Sequence, residues 1–169
     1  IKEDAIKELC SRCEIKQGDS IFFICDNANT VSKNAGKIRN KLSDELNLSQ
    51  KETYRFCWII DYPMYQWDDV AKQIKFYHNP FSYPQGGLRA LDKATTVKEQ
   101  MDIKAYQYDI VCNGIELSSG AIRNHDLDTM YKAFSYAGYN KDQVKANFPA
   151  IVSGLEYGAP PHGGIAPGI

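Results

Sequence analysis

The sequence has no long hydrophobic run. No stretch approaches the roughly 18 apolar residues that a membrane-spanning helix needs, so none is expected. No signal-peptide pattern stands at Ile1. An excess of one charge sign is also lacking. The formal net charge is −1 over 169 residues, which gives no electrostatic ground for a nucleic-acid or membrane surface. Any basic contact surface is then local or outside this chain. Phosphate loops of Walker or Rossmann spacing, internal repeats and low-complexity tails are absent. Cysteines are few and odd in number: Cys10, Cys13, Cys25, Cys57 and Cys112. The last three stand inside apolar runs, so buried free thiols in a reducing, cytoplasmic compartment are expected. Cys10 and Cys13 form a CxxC without a second half-site, which reads as two thiols on a helix rather than zinc.

What is present suits a globular protein: 43% hydrophobic and 24% charged residues. The start at Ile1 and the stop inside GGIAPGI read as cuts through a longer chain. The first fifty residues read as helix–strand–helix. IKEDAIKELCSRC is helical by spacing, SIFFIC is a strand candidate, and Val31, Ala35, Ile38, Leu42 and Leu46 mark a second helix capped at Asn29 or Thr30. From Tyr54 strands take over. YRFCWIIDYP predicts a buried strand ended by Pro63. A second strand ends at His78-Asn79-Pro80. Short helical turns follow, and a hairpin comes next. Beyond it lie a helix stopped by Gly138 and two short helices, the first capped by Asn140. GAPPHGGIAPGI reads as a Gly/Pro loop. Strands and helices segregate, which predicts an α+β fold with an antiparallel sheet.

The hairpin YDIVCNGIELSSGAIR is the most informative stretch. Asn113-Gly114 between apolar runs is a type I′ turn signal. Pairing outward from the turn joins 112 to 115, 111 to 116 and 109 to 118. Asp109 and Glu116 then sit diagonally on one face, about 5–8 Å apart. Two carboxylates that close repel unless a cation lies between them. They also offer the open set of hard oxygens that Mg2+ on substrate phosphates takes from a protein. Solvated surface charge is the competing account. Arg123 falls on the opposite face under strict alternation. A bulge at Ser118-Ser119-Gly120 would bring it round, and its planar fork suits a carboxylate.

Other candidates carry less. His78 ends a strand and could meet a substrate, though a lone histidine is commonly structural. His162 lies in PPHGG, and His125 could cap the following helix. Trp58 and Trp67 lack interleaved basic residues, so they read as core and rim rather than a base-stacking platform.

FCWIIDYPMYQWD, FYHNPFSYPQGG, YDIVCNGIELSSGAIRNHD and LEYGAPPHGGIAPGI occur in this order and spacing. Together they resemble bacterial-type aspartyl-tRNA synthetase, a class II enzyme, over essentially the whole chain. Residues 1–52 resemble the C-terminal part of its GAD insertion domain. Residues 53–169 resemble the catalytic domain up to the start of motif 3. The resemblance implies a class II antiparallel sheet flanked by helices. It also implies aspartate activation by ATP to aspartyl-adenylate, followed by transfer to tRNA, in a full-length homodimer. Asp109 and Glu116 match the acidic pair that holds Mg2+ and ATP. Arg123 and His78 match the binders of L-aspartate. Gly168 and Ile169 match the first half of the motif 3 segment that contacts ATP. Ser118-Ser119 stand where many relatives have glycines. Motifs 1 and 2 are absent, so the chain alone is expected to be inactive. The alternatives are a non-catalytic docking module that retains the GAD segment, or another class II relative such as an asparaginyl enzyme or asparagine synthetase.

Overall fold

A computed structural model describes residues 2–50 and 52–168. The chain divides into two compact units, Ile1–Thr53 and Tyr54–Ile169.

The first unit holds two helices, α1 (Glu3–Arg12) and α2 (Ala28–Glu45). The α2 cap is Asn27, ahead of the expected Asn29 or Thr30, and its side chain accepts from the Thr30 amide at 3.0 Å. The side chain of Asn29 lies outside the described residues. SIFFIC is not a strand. Phe22 and Phe23 are exposed and no described segment pairs with them. β-propensity without a neighbouring ladder leaves backbone groups unsatisfied, so the segment stays irregular. The unit is therefore helix–loop–helix among the described residues, not helix–strand–helix.

The second unit is α+β, as expected. Its main sheet has the order β1 (Phe56–Ile60), β4 (Gln107–Cys112), β5 (Ile115–Ile122), β6 (Gly163–Pro167), and every pairing is antiparallel. A two-stranded ribbon joins β2 (Tyr65–Asp68) to β3 (Gln73–Phe76). Short helices α3 (Gly87–Lys93) and α4 (Val97–Met101) follow β3. Helices α5 (Leu127–Tyr136), α6 (Lys141–Asn147) and α7 (Pro149–Glu156) follow β5. Asn140 caps α6 in a capping box with Gln143, as the sequence predicts.

Two expectations fail here. β1 is a strand, but it lies at a sheet edge with all five residues exposed. Cys57 is exposed with it, as is Cys25; of the three thiols in apolar runs only Cys112 is buried. The Gly/Pro tail is also more than a loop: Gly163–Pro167 forms the other edge strand, and Pro167, which cannot donate, ends it.

The core lies away from these edges. Met64, Tyr65, Ile74, Leu91 and Ala133 form one cluster, and Met130, Phe134, Val144 and Val152 form another. Phe76 packs against both. The buried Tyr65 hydroxyl donates to the Ala133 carbonyl at 2.9 Å, fixing β2 to α5. These clusters hold the ribbon and helices, and so fix the chain segment that carries His78.

Candidate functional site on the β4–β5 hairpin

Asn113 and Gly114 take the positive φ values, 51° and 83°, that a type I′ turn demands. The Arg55 amide also donates to Asn113 Oδ1 at 2.9 Å, tying the turn to the chain entering β1. Cys112 pairs with Ile115 and Val111 with Glu116, as counted from the turn. The register then shifts. Ile110 pairs with Ser118 and Asp109 with Ser119, not with Ser118. Leu117 is the extra residue.

This bulge decides the site. Paired residues share a face. Gln107 pairs with Ala121, so one face carries Gln107, Asp109, Glu116, Ser119 and Ala121, and Arg123 two residues on. Arg123 joins the carboxylate face because one residue is unpaired. The break falls at Leu117 rather than at Ser118-Ser119-Gly120. The Leu117 carbonyl accepts from the Gly168 amide at 2.8 Å, which holds the extra residue in place. Gly120 sits in regular ladder instead. A Cβ there would lie 2.4 Å from the Gly164 carbonyl oxygen, so glycine permits β6 to approach.

Asp109 is 5% exposed, whereas Glu116 is open to solvent. The Tyr62 hydroxyl donates to Asp109 Oδ2. Burial raises the Tyr62 pKa well above the usual tyrosine value, and the bond to Asp109 and the charges of Asp109 and Glu116 push the same way. Tyr62 therefore stays a donor across the working pH range. Its ring also meets His78 edge-on, with centroids 5.4 Å apart. Tyr62 thus links Asp109 to His78.

His78 and Arg123 line one cavity of about 280 Å3, together with Asn79, Gln107, Ser119 and Ala166. Asp109 and Glu116 are not among its lining residues. Arg123 also borders a larger cavity of about 600 Å3 with His162 and Asn124. His125 does not cap α5. Asp126 does, accepting from the Thr129 amide at 2.8 Å, while the His125 ring stacks on Tyr83 with centroids 5.2 Å apart. The Gly168 amide is engaged by Leu117, and Ile169 lies outside the described residues. No group of three His, Cys, Asp or Glu residues that could hold a metal exists among the described residues. Asp109 and Glu116 are two carboxylates on one face, fewer ligands than a protein cage for a metal supplies.

Tyr62 and Gln107 were not picked out by sequence reasoning. Gln107 could have been: extending the alternation two residues from Asp109 places a polar amide on the same face.

An antiparallel sheet whose central hairpin sets an acidic pair and an arginine on one face is the arrangement expected of a class II synthetase domain. The chain belongs to the tRNA synthetases class II (D, K and N) family, whose sequence profile matches residues 2–169. It is 58% identical over 164 residues to the aspartate–tRNA(Asp/Asn) ligase of Orientia tsutsugamushi, covering 97% of this chain and 27% of that protein. It is 53% identical over 169 residues to the ligase of the same description from Ehrlichia chaffeensis, covering 100% of this chain and 28% of the relative. The chain thus spans between a quarter and a third of the curated relatives it matches. Among solved structures, an aspartyl-tRNA synthetase from Entamoeba histolytica aligns at 18% identity and a TM-score of 0.44, covering 96% of this chain and 25% of that one. No helix among the described residues is long and apolar enough to cross a membrane.

Proposed function

We propose that this chain is the part of an aspartate–tRNA ligase that binds the amino acid and one side of ATP. The full-length protein activates L-aspartate with ATP to aspartyl-adenylate, releases pyrophosphate and esterifies a tRNA. The observation that carries this reading is the convergence of His78 and Arg123 on one cavity beside the Asp109–Glu116 face. Arg123 offers a planar fork to a substrate carboxylate. His78 contributes a polar ring to the same cavity. Asp109 and Glu116 would hold Mg2+, which supplies charge neutralisation to the ATP phosphates. Tyr62 would hold the Asp109 carboxylate in place through its hydrogen bond to Oδ2. Glu116, Gly168 and Ile169 would contact ATP, Gly168 through its Cα or carbonyl, since its amide is engaged.

Adenylation of this kind is positioning and charge compensation. The hairpin carries Asp109, Glu116 and Arg123 on one face, and the segment after β3 brings His78 to the cavity that Arg123 lines, which supports this reading. Residues 1–52 are read as part of a GAD insertion, and the full-length enzyme as a cytoplasmic homodimer acting on a tRNA of the Asp/Asn class.

In the full-length protein, Arg123→Leu should raise the KM for L-aspartate by about 30-fold or more, the scale of a lost charge-assisted contact. Glu116→Gln should impair use of ATP. The isolated 169 residues should show no ATP–pyrophosphate exchange. Wild-type kinetics in both variants would refute the assignment.

A further inference from the structure

Gln107 is a buried amide in a strand position where Val or Ile would be ordinary. It is 5% exposed and pairs with Ala121, whose small side chain leaves it room. Its Nε2 carries two protons, and both are engaged. One goes to the Asn79 carbonyl at 3.1 Å and the other to Ser82 Oγ at 2.8 Å. Asn79 and Ser82 belong to the segment that leaves β3 and carries His78. That segment is a tight turn. The Ser82 amide donates to the Asn79 carbonyl at 3.2 Å, and the Phe81 amide to Asn79 Oδ1 at 2.9 Å. Its far side is held by the Arg123 region: Ser82 bridges to Arg123, and the Asn124 amide donates to the Phe81 carbonyl at 2.7 Å. Gln107 therefore joins the strand that carries Asp109 to the turn that carries His78. It does so on the wall of the cavity that His78 and Arg123 share.

We propose that Gln107 is a positioning residue of this cavity. It fixes the separation of His78 and Arg123, and so sets the width offered to the amino acid, by clamping the 78–82 turn. The inference rests on reading the cavity as the aspartate subsite.

The test uses the full-length protein. Gln107→Leu keeps the volume and removes both donors. It should raise the KM for L-aspartate about tenfold, the scale of one or two neutral hydrogen bonds, with kcat and the KM for ATP within about twofold of wild type. Ser82→Ala deletes one acceptor and should raise it about threefold, since one bond remains. The double variant should be no worse than Gln107→Leu alone, because the two changes remove a shared contact. A role in folding only would lower the melting temperature and the titrated active fraction while leaving the KM for L-aspartate unchanged, and that result overturns the proposal. If Gln107→Leu fails to fold, Ser82→Ala decides: a raised KM supports the clamp, and a wild-type KM overturns it. His78→Ala, run in parallel, separates the two readings. A wild-type KM there overturns the subsite reading and the clamp with it. A raised KM there, beside a wild-type KM in Gln107→Leu, overturns the clamp alone.

Discussion

Two glycines one strand apart should respond differently to the same added methyl. A Cβ on Gly120 would lie 2.4 Å from the Gly164 carbonyl oxygen, 2.4 Å from Tyr108 Cε2 and 3.1 Å from Ile165 Cα. The first two are roughly 1 Å short of an ordinary contact. The Tyr108 ring has little freedom to yield, because its hydroxyl donates to the same Gly164 carbonyl at 3.1 Å and its edge meets Trp58 with centroids 6.1 Å apart. The carbonyl is backbone and cannot rotate away. Relief therefore requires β6 to move from β5. Overpacking of this kind costs about 1–3 kcal/mol, and the reduced freedom of the unfolded chain returns about 0.4–1 kcal/mol. A net loss of about 1–2 kcal/mol corresponds to a fall of roughly 2–8 °C in melting temperature for a chain this size. By contrast, a Cβ on Gly164 meets nothing within 4 Å. Gly164→Ala should stay within about 0.5 kcal/mol of wild type. Thermal unfolding of the two variants followed by circular dichroism makes the comparison. In the full-length protein Gly120→Ala should also raise the KM for L-aspartate, because β6 supplies Ile165 and Ala166 to the cavity wall. The reasoning fails if Gly120→Ala melts with wild type, or if Gly164→Ala falls as far.

Two further outcomes follow from groups near the hairpin and ribbon. Tyr62→Phe leaves Asp109, 5% exposed, without its hydroxyl donor. Stability should drop by about 1–3 kcal/mol, and the Mg2+ concentration for half-maximal exchange in the full-length protein should rise; an unchanged Mg2+ dependence would remove Tyr62 from the site. Asp68 is held down to a pKa of about 2, from 3.8, first by the Ala71 amide, then by the Lys75 ammonium and the Val70 amide. The folded carboxyl thus takes its proton at lower pH than the unfolded one, so its contribution is complete above about pH 4 and is lost as pH falls toward 2. Lys75→Met should move the Asp68 midpoint, read by NMR titration, part of the way back toward 3.8; a midpoint still near 2 would show that the amides alone set it.

The residues that were legible in the sequence are those whose structure is decided locally. Asn113-Gly114 fixes its own turn through φ, and the turn fixes the first two pairs without help from the rest of the chain. Capping at Asn140 is likewise settled within four residues. Parity along β5 was legible as a condition: an odd separation between Glu116 and Arg123 demands an unpaired residue if both are to share a face. Its position was not legible. The choice of Leu117 depends on an amide 51 residues away in sequence, at Gly168, that captures the Leu117 carbonyl. Gly120, the residue whose type most invited a bulge, is glycine for another reason, the close passage of β6. That strand was missed for a matching cause. GGIAPG has the composition of a loop, and it becomes a strand only because β5 presents an open ladder and no side chain at Gly120.

β1 shows the converse error. FCWII has the composition of a buried strand and does form one, yet every residue of it is exposed. Composition reports how well a segment fits a pleated surface. Whether that surface is covered depends on which elements stack on it, and here the helices and the ribbon gather around Met64, Leu91 and Phe134 instead. The same separation explains the site. Local alternation put Asp109 and Glu116 on one face, whereas His78 comes from another segment, where its ring meets Tyr62 and its neighbour Asn79 accepts from the buried amide of Gln107. Alternation along β4 reaches Gln107 but says nothing of its partners Asn79 and Ser82, and Tyr62 lies outside the hairpin altogether, so a reading confined to that spacing finds the charges and misses what holds them.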